Sequence, residues 1–220
     1  SNCKVALNQA RYTWRHDSVL LCLKSQLTDF LEFHNNRETI KRRLVTKFVK
    51  KGHGHSGKSS VVRISSILDD AQDWKLLVDF TREKIVFPPE VIATSERPDI
   101  ILISKLSHQI ILVELTCPAE EGIESASLRK KARYGQLLSD INDDKDNPWK
   151  ASLFTIEAGA RGLVAHSMLS FLRKIGFTPS RSRTICKKIS TICARCSYAI
   201  YLARSSSNWD SNRALIELPD

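Results

Sequence analysis

The sequence predicts an α/β fold in which a mixed sheet is flanked by helices, and three observations carry that expectation. Two β-rich runs, residues 97–104 (RPDIILIS) and 109–117 (QIILVELTC), are separated only by Lys105, Leu106, Ser107 and His108, the pattern of a β-hairpin. Pro118 stops the second run, and residues 119–142 then read as one long amphipathic helix. A further β-rich run follows at residues 149–159 (WKASLFTIEAG).

The remaining elements fall on either side of this unit. Residues 11–33 form a helix, with Trp14, Leu20, Leu21, Leu23, Leu27 and Leu31 recurring on a helical period. A second, strongly basic helix is expected over 38–51, and a loop rich in Gly, His and Ser over 51–60. Residues 74–80 (WKLLVDF) read as a short strand, after which Phe87, Pro88 and Pro89 break the chain. A helix is expected over 162–175, ended by Gly176, and a last helix over about 182–203. The tail after Ser205 reads as loosely ordered. In domain terms, 1–10 reads as the remnant of an upstream segment, 11–178 as the main domain and 179–220 as a C-terminal helix and tail.

The chain has 220 residues, enough for one domain with a real core, and a formal net charge of +10. The charge is unevenly spread: net +9 over residues 1–63, −6 over 64–146 and +7 over 147–220. An acidic middle between basic flanks suits a metal-dependent enzyme acting on a polyanion, although basic surfaces are common. Its 42% hydrophobic content excludes a disordered tail. No apolar run approaches the roughly 18 residues of a membrane span, and no signal-peptide core is seen at the start. Opening on Ser1 with Met168 as the only methionine, the chain reads as a piece of a longer reading frame. Its six cysteines have no framework spacing, so reduced thiols in a cytosolic or nuclear setting are expected.

The hairpin carries the chemistry. If it is symmetric about its four-residue connection, Asp99 lies directly opposite Glu114, with Cβ atoms about 5 Å apart on one face. Two carboxylates so placed repel unless a cation lies between them, which points to Mg²⁺ or Mn²⁺. The alternative is that Asp99 caps a strand and Glu114 is solvated at an edge. Against it, Glu114 follows Ile110, Ile111, Leu112 and Val113, where an unpaired charge is costly.

Pro98-Asp99, 14 intervening residues and Glu114-Leu115-Thr116 resemble the core of PD-(D/E)XK nucleases. Arg11-Tyr12-Thr13-Trp14-Arg15-His16-Asp17-Ser18-Val19-Leu20, Arg97-Pro98-Asp99-Ile100, Val113-Glu114-Leu115-Thr116-Cys117-Pro118, Arg129-Lys130-Lys131-Ala132-Arg133-Tyr134 and Glu157-Ala158-Gly159-Ala160-Arg161-Gly162 extend the likeness. In that order they are similar to the restriction-endonuclease-like region behind the reverse transcriptase of site-specific non-LTR retrotransposons, over about residues 3–176. The resemblance implies an α/β PD-(D/E)XK core and a nuclease that nicks double-stranded DNA in the nucleus, covalently linked to a reverse transcriptase in its parent protein. It implies that Asp99 and Glu114 hold Mg²⁺ or Mn²⁺. The usual lysine position is Thr116 here, and in this branch the following helix supplies the lysine, with a tyrosine one turn later. Lys130 and Tyr134 match that placement, and Lys131 is the competing lysine. Arg15, Asp17, Glu157 and Arg161 fall in the other shared motifs as supporting residues, the arginines as phosphate contacts and the acids as orienting groups. Each also fits a structural ion pair. The family carries a zinc knuckle just upstream, and Cys3 sits where its last ligand falls, although one ligand holds no zinc.

Other readings stay open. Lys41, Arg42, Arg43, Lys50 and Lys51 are candidate nucleic-acid contacts. Gly52 to Ser59 satisfies the P-loop pattern, with Lys58 and Ser59 as its closing pair, but neither a buried strand before it nor a helix after it is expected. About 18 residues then lead to Leu77, Val78 and Asp79, too few for a βαβ crossover. Cys193 and Cys196 lie on one helical stripe with Ile185, Ile189, Ile192 and Ile200, which favours packing over zinc. His16 reads as a satisfied structural histidine. Two functions of different class remain: a metal-dependent endonuclease, and an inactive relic that binds DNA or protein.

Overall fold

Residues 4–37, 66–206 and 208–211 are described by the computed structural model of the chain. Four strands, β1 (Lys75–Val78), β2 (Ile100–Ser104), β3 (Gln109–Thr116) and β4 (Lys150–Glu157), form one sheet in the order β1-β2-β3-β4. β1, β2 and β3 are antiparallel to one another, and β4 runs parallel to β3, so the sheet is mixed. Among the described residues five α-helices accompany it: α1 (Lys4–Asn8), α2 (Arg11–Asn36), α3 (Ile123–Asn142), α4 (His166–Lys174) and α5 (Pro179–Leu202). Among the described residues no helix is long and apolar enough to cross a membrane.

The register of the hairpin follows from its short connection. Ile100 faces Val113 and Ser104 faces Gln109. Asp73 clamps the connection, accepting the backbone N–H groups of Lys105 (2.9 Å) and Leu106 (3.0 Å), while His108 closes it with a φ of 50°. Because both faces of β2 and β3 are covered, these strands are near-continuous apolar runs. Ile100, Leu102, Ile111, Val113 and Leu115 point to a core shared with α2, α4 and α5. Ile101, Ile103, Ile110 and Leu112 point to the opposite side, against Tyr134, Leu137 and Ile141 of α3. The helix between β3 and β4 is the crossover that a parallel pair requires.

Several boundaries differ from expectation for physical reasons. α4 begins at His166, because Gly162 has a φ of 100° and residues 158–164 close a turn with an Ala158–Val164 bridge. α5 starts earlier, at Pro179, since the Thr178 hydroxyl accepts the Arg181 N–H and proline suits the first helical position. The start of the 119–142 helix is a 3₁₀ turn, Glu120–Gly122. Leu21 points outward from α2, while Val19, Leu20, Leu23, Leu27 and Leu31 are buried. α5 contributes Ile185, Ile189 and Cys193 to the main core, and Cys196 is also fully buried, so both thiols pack as apolar groups. The tail is docked where it is described: Trp209 meets Trp14 edge-on at 5.1 Å, and buried Arg11 donates to the Ala203 and Ser206 carbonyls. The basic helix expected over 38–51, the Gly52–Ser59 loop and Cys3 lie outside the described residues.

Gly176 ends α4 as expected, with a φ of 108°. Its N–H reaches the Arg173 carbonyl and that of Phe177 reaches Leu172, which together make a Schellman cap. A Cβ at this position would lie 2.9 Å from Ser66 Oγ, whereas one at Gly135, inside α3, meets nothing within 4 Å. Gly176→Ala should therefore lower the unfolding free energy by about 1 kcal/mol or more, and Gly135→Ala should raise it by about 0.5 to 1 kcal/mol. Urea denaturation of the two variants checks both signs.

Candidate active site

The functional groups gather where β2 begins and β3 ends. Continuing the register one residue beyond Ile100–Val113 brings Asp99 opposite Glu114, and the two strands are cross-linked there by their own carboxylates. Asp99 Oδ2 accepts the Leu115 N–H at 2.7 Å, and the Asp99 N–H donates to Glu114 Oε2 at 3.3 Å. Asp99 thus also ties off the strand, as its capping alternative had it, but Glu114 is no solvated edge residue. It is 2% exposed.

A carboxylate that deep needs a cation. Lys130 of α3 supplies it, donating to Glu114 Oε1, because the crossover lays α3 over this face of the sheet. Burial, and then the Asp99 charge, push the Glu114 carboxyl above its ordinary range, and Lys130 opposes them. Lys131, one residue on, is exposed and turned away. Tyr134, one turn after Lys130, is fully buried and donates its hydroxyl to the Arg97 carbonyl at 3.1 Å, two residues before Asp99. Burial and the nearby Glu114 charge push its phenol up, so it stays a neutral donor. Thr116, at the position where the motif usually carries lysine, has a buried hydroxyl with no partner among the described residues.

His16, read from the sequence as a satisfied structural histidine, has partners at both ring nitrogens, and they lie at the carboxylate pair. Projecting from α2, its Nδ1 lies 3.1 Å from Asp17 Oδ1, and its Nε2 lies 3.3 Å from the Leu115 carbonyl and 3.4 Å from Asp99 Oδ2. Burial works against a charged ring, yet hydrogen bonds to Asp17 and Asp99 and their charges outweigh it, raising the pKa to about 10. The only signal in the sequence was its position inside the Arg15-His16-Asp17 run. Burial would lift the Asp17 carboxyl, but hydrogen bonds from His16 and Thr81 hold it below its ordinary value. A cavity of about 270 Å³ opens beside this group, lined in part by Thr13, His16, Asp17, Asp79, Arg97 and Asp99.

The other supporting residues are not drawn to the pair. Arg15 is buried and donates to Ser197 Oγ (2.9 Å) and the Cys117 carbonyl (2.7 Å), tying α2 to α5 and to the end of β3 rather than facing solvent. Glu157 is in register with Thr116, not Glu114; one oxygen accepts from Ser167 and the other has no partner among the described residues. Arg161, 71% exposed, pairs with Glu120 and Glu121 at the surface. Lys41, Arg42, Arg43, Lys50 and Lys51 lie outside the described residues.

Among the described residues no group of three or more His, Cys, Asp and Glu side chains is arranged to hold a metal. Magnesium needs fewer, since one or two carboxylates completed by water and phosphate oxygens suffice. Asp99 Oδ2 and the Leu115 carbonyl are hard oxygen donors converging on one point, the His16 Nε2, with Glu114 on the adjoining position. That donor set fits Mg²⁺ or Mn²⁺.

Removing Lys130 leaves Glu114 buried without its cation. Lys130→Met is expected to cost about 3 kcal/mol at pH 7. A carboxyl whose folded-state value lies above its unfolded value binds protons more tightly when folded, so protonation favours the fold and the penalty is largest above both values. The cost should therefore shrink as the pH falls toward 5, which denaturation at a series of pH values measures.

No model of a known protein family matches the chain, and no curated protein matches it.

Proposed function

We propose that the chain is the nuclease portion of a retroelement-derived protein: a PD-(D/E)XK restriction-endonuclease-like domain that uses Mg²⁺ or Mn²⁺ to nick one strand of double-stranded DNA. On this reading it works in the nucleus, covalently linked to a reverse transcriptase in its parent protein. The observation that carries the proposal is the lysine of α3 bonded to Glu114, directly opposite Asp99 on a hairpin–helix–strand scaffold.

Asp99, Glu114 and the Leu115 carbonyl would hold the cation. When bound, it supplies positive charge that polarises the scissile phosphate. Lys130 orients the attacking water and offsets the charge that grows on the phosphate oxygens. The water oxygen bonds to phosphorus as the P–O bond to the leaving nucleotide breaks, and a proton passes to the departing oxygen. Tyr134, anchored on the Arg97 carbonyl and packed between α3 and the sheet, keeps the segment bearing Asp99 at its distance from the lysine. Lys131 is solvated and takes no part.

A second reading, an inactive relic that binds DNA or protein, is favoured by one observation: Asp99 and Glu114 are already paired, with His16 and Lys130. The nucleotide-binding alternative gains nothing from the strand pairing. β1, which would bear its metal-holding Asp79, is antiparallel to β2, and Asp79 accepts the Ile85 N–H.

Nicking of supercoiled plasmid with Mg²⁺ or Mn²⁺ tests the proposal. Asp99→Ala and Lys130→Ala should each lose at least about 100-fold in rate, while Lys131→Ala nicks as the parent does and all bind duplex DNA alike. Nicking that survives Asp99→Ala refutes the assigned site. Binding without cleavage by every version supports the relic.

A further inference from the structure

One side of the molecule carries charge of a single sign. Between Glu157 and Asp210 the chain has nine basic residues and no acidic one. The fold brings six of them to one surface: Arg173 and Lys174 end α4, and Arg181, Arg183, Lys187 and Lys188 lie on the exposed side of α5, which packs beside it. Ser182, Ile185, Ile189 and Cys193 fill the buried side of α5, so these cations have only solvent to face. Among the described residues none of the six is in an ion pair. Lys174 and Arg181 rest on the rings of Phe154 and Phe177, at 5.4 and 5.2 Å, contacts that leave their charge unneutralised. The remainder of the chain, outside the described residues, holds only three acids, Glu38, Glu217 and Asp220. Such a face is costly to the free protein, because its like charges repel. Arg173 and Lys174 suit the end of a helix, but Arg181 and Arg183 stand in the first two turns of α5, where the helix dipole disfavours a cation.

We propose that this face of α4 and α5 is a docking surface for the phosphate backbone of duplex DNA, holding the substrate to one side of the point of cutting. The inference deepens the nuclease reading and rests on it. The other exposed positions among the cations of α5 are Ser180, Thr184 and Thr191. They offer no aromatic ring on which an unpaired base could stack, so the face suits a paired backbone rather than a single strand. Contacts of this kind fix position without reading sequence. The place of the surface relative to the site follows from one anchor. Arg15 joins Ser197 Oγ to the Cys117 carbonyl, two residues beyond Leu115. At about 1.5 Å per residue, Lys188 and Arg181 lie about 14 and 24 Å back along α5 from that anchor. They are too far away to touch the scissile phosphate, and serve the duplex beside it. The two arginines that the shared motifs put on phosphate are committed elsewhere, Arg15 in the core and Arg161 to Glu120 and Glu121.

Duplex DNA binding by fluorescence anisotropy over a range of salt concentrations, without divalent metal so that nothing is cut, tests this. The parent chain is compared with a variant carrying Arg181→Gln, Arg183→Gln, Lys187→Gln and Lys188→Gln. A control loses the same charge from exposed lysines elsewhere, through Lys75→Gln, Lys131→Gln, Lys145→Gln and Lys150→Gln. Each phosphate contact adds about 0.9 to the steepness of log affinity against log salt. The α5 variant should therefore lose about 3.5 of that slope, and about 100-fold or more in affinity at about 0.15 M salt, while the control keeps most of both. At low salt the α5 variant should also resist urea at least as well as the parent, because its repulsion is relieved. Unfolding at lower urea means that the cations brace the fold, and overturns the surface. The parent supplies a measurement free of any substitution: a slope shallower than about 2 leaves no room for four phosphate contacts and overturns the proposal. Equal loss in the two variants reduces the effect to net charge, which overturns the surface and leaves the nuclease reading standing. Tighter binding of duplex RNA than of duplex DNA overturns DNA as the occupant. A parent that binds no duplex DNA overturns the surface and the nuclease reading together.

Discussion

A carboxylate inside a strand covered on both faces is the constraint on which the rest of this protein depends. Glu114 cannot be solvated, because β3 is packed by α2, α4 and α5 on one side and by α3 on the other. Its charge must be met from within the protein, and the face occupied by α3 supplies the cation that reaches it. The crossover helix therefore does two tasks with one placement. It connects β3 to a parallel β4, and it delivers Lys130 to Glu114 while burying Tyr134, Leu137 and Ile141 against the sheet.

Around that pair acidic and basic groups are interleaved, with the two carboxylates side by side at the centre and a basic group on either flank. Asp17, His16, Asp99, Glu114 and Lys130 form a chain of contacts running from α2 across the hairpin to α3. Each charged group is held by at least one of opposite sign or by a backbone N–H, which is how several ionised side chains coexist in a partly buried place. The backbone takes part directly: the Leu115 N–H steadies Asp99, and the Asp99 N–H reaches Glu114. The consequence is a site whose members are mutually dependent, so that changing any one removes a contact on which the next relies.

Much of this was legible beforehand. The hairpin register followed from a four-residue connection, because a turn that short leaves few ways to pair the flanking strands, and the position of Glu114 within an apolar run already implied a buried charge. The displaced lysine was legible only through resemblance, since Lys130 and Lys131 are equivalent in composition and differ only in the side of α3 they take. The start of α4 was misjudged because the left-handed turn at Gly162 is invisible in a hydrophobic period. The docked tail was missed because Trp209 finds Trp14 and Arg11 across nearly the whole length of the chain. Arg15 and Arg161 looked alike in their motifs, yet one braces two helices and the other lies at the surface.

By itself the sequence determined what depends on neighbours along the chain: the strands and most helices, the turn between β2 and β3, the glycine stop after α4, and the pairing of Asp99 with Glu114. Only the tertiary structure decided which cation serves which carboxylate. His16 and Lys130 are separated from Asp99 and Glu114 by 83 and 16 positions respectively, and they meet them because α2 and α3 pack on opposite faces of the same hairpin. Charge interactions act through space and sharpen wherever packing removes water, so their partners are chosen by the fold, after the local patterns have done their part.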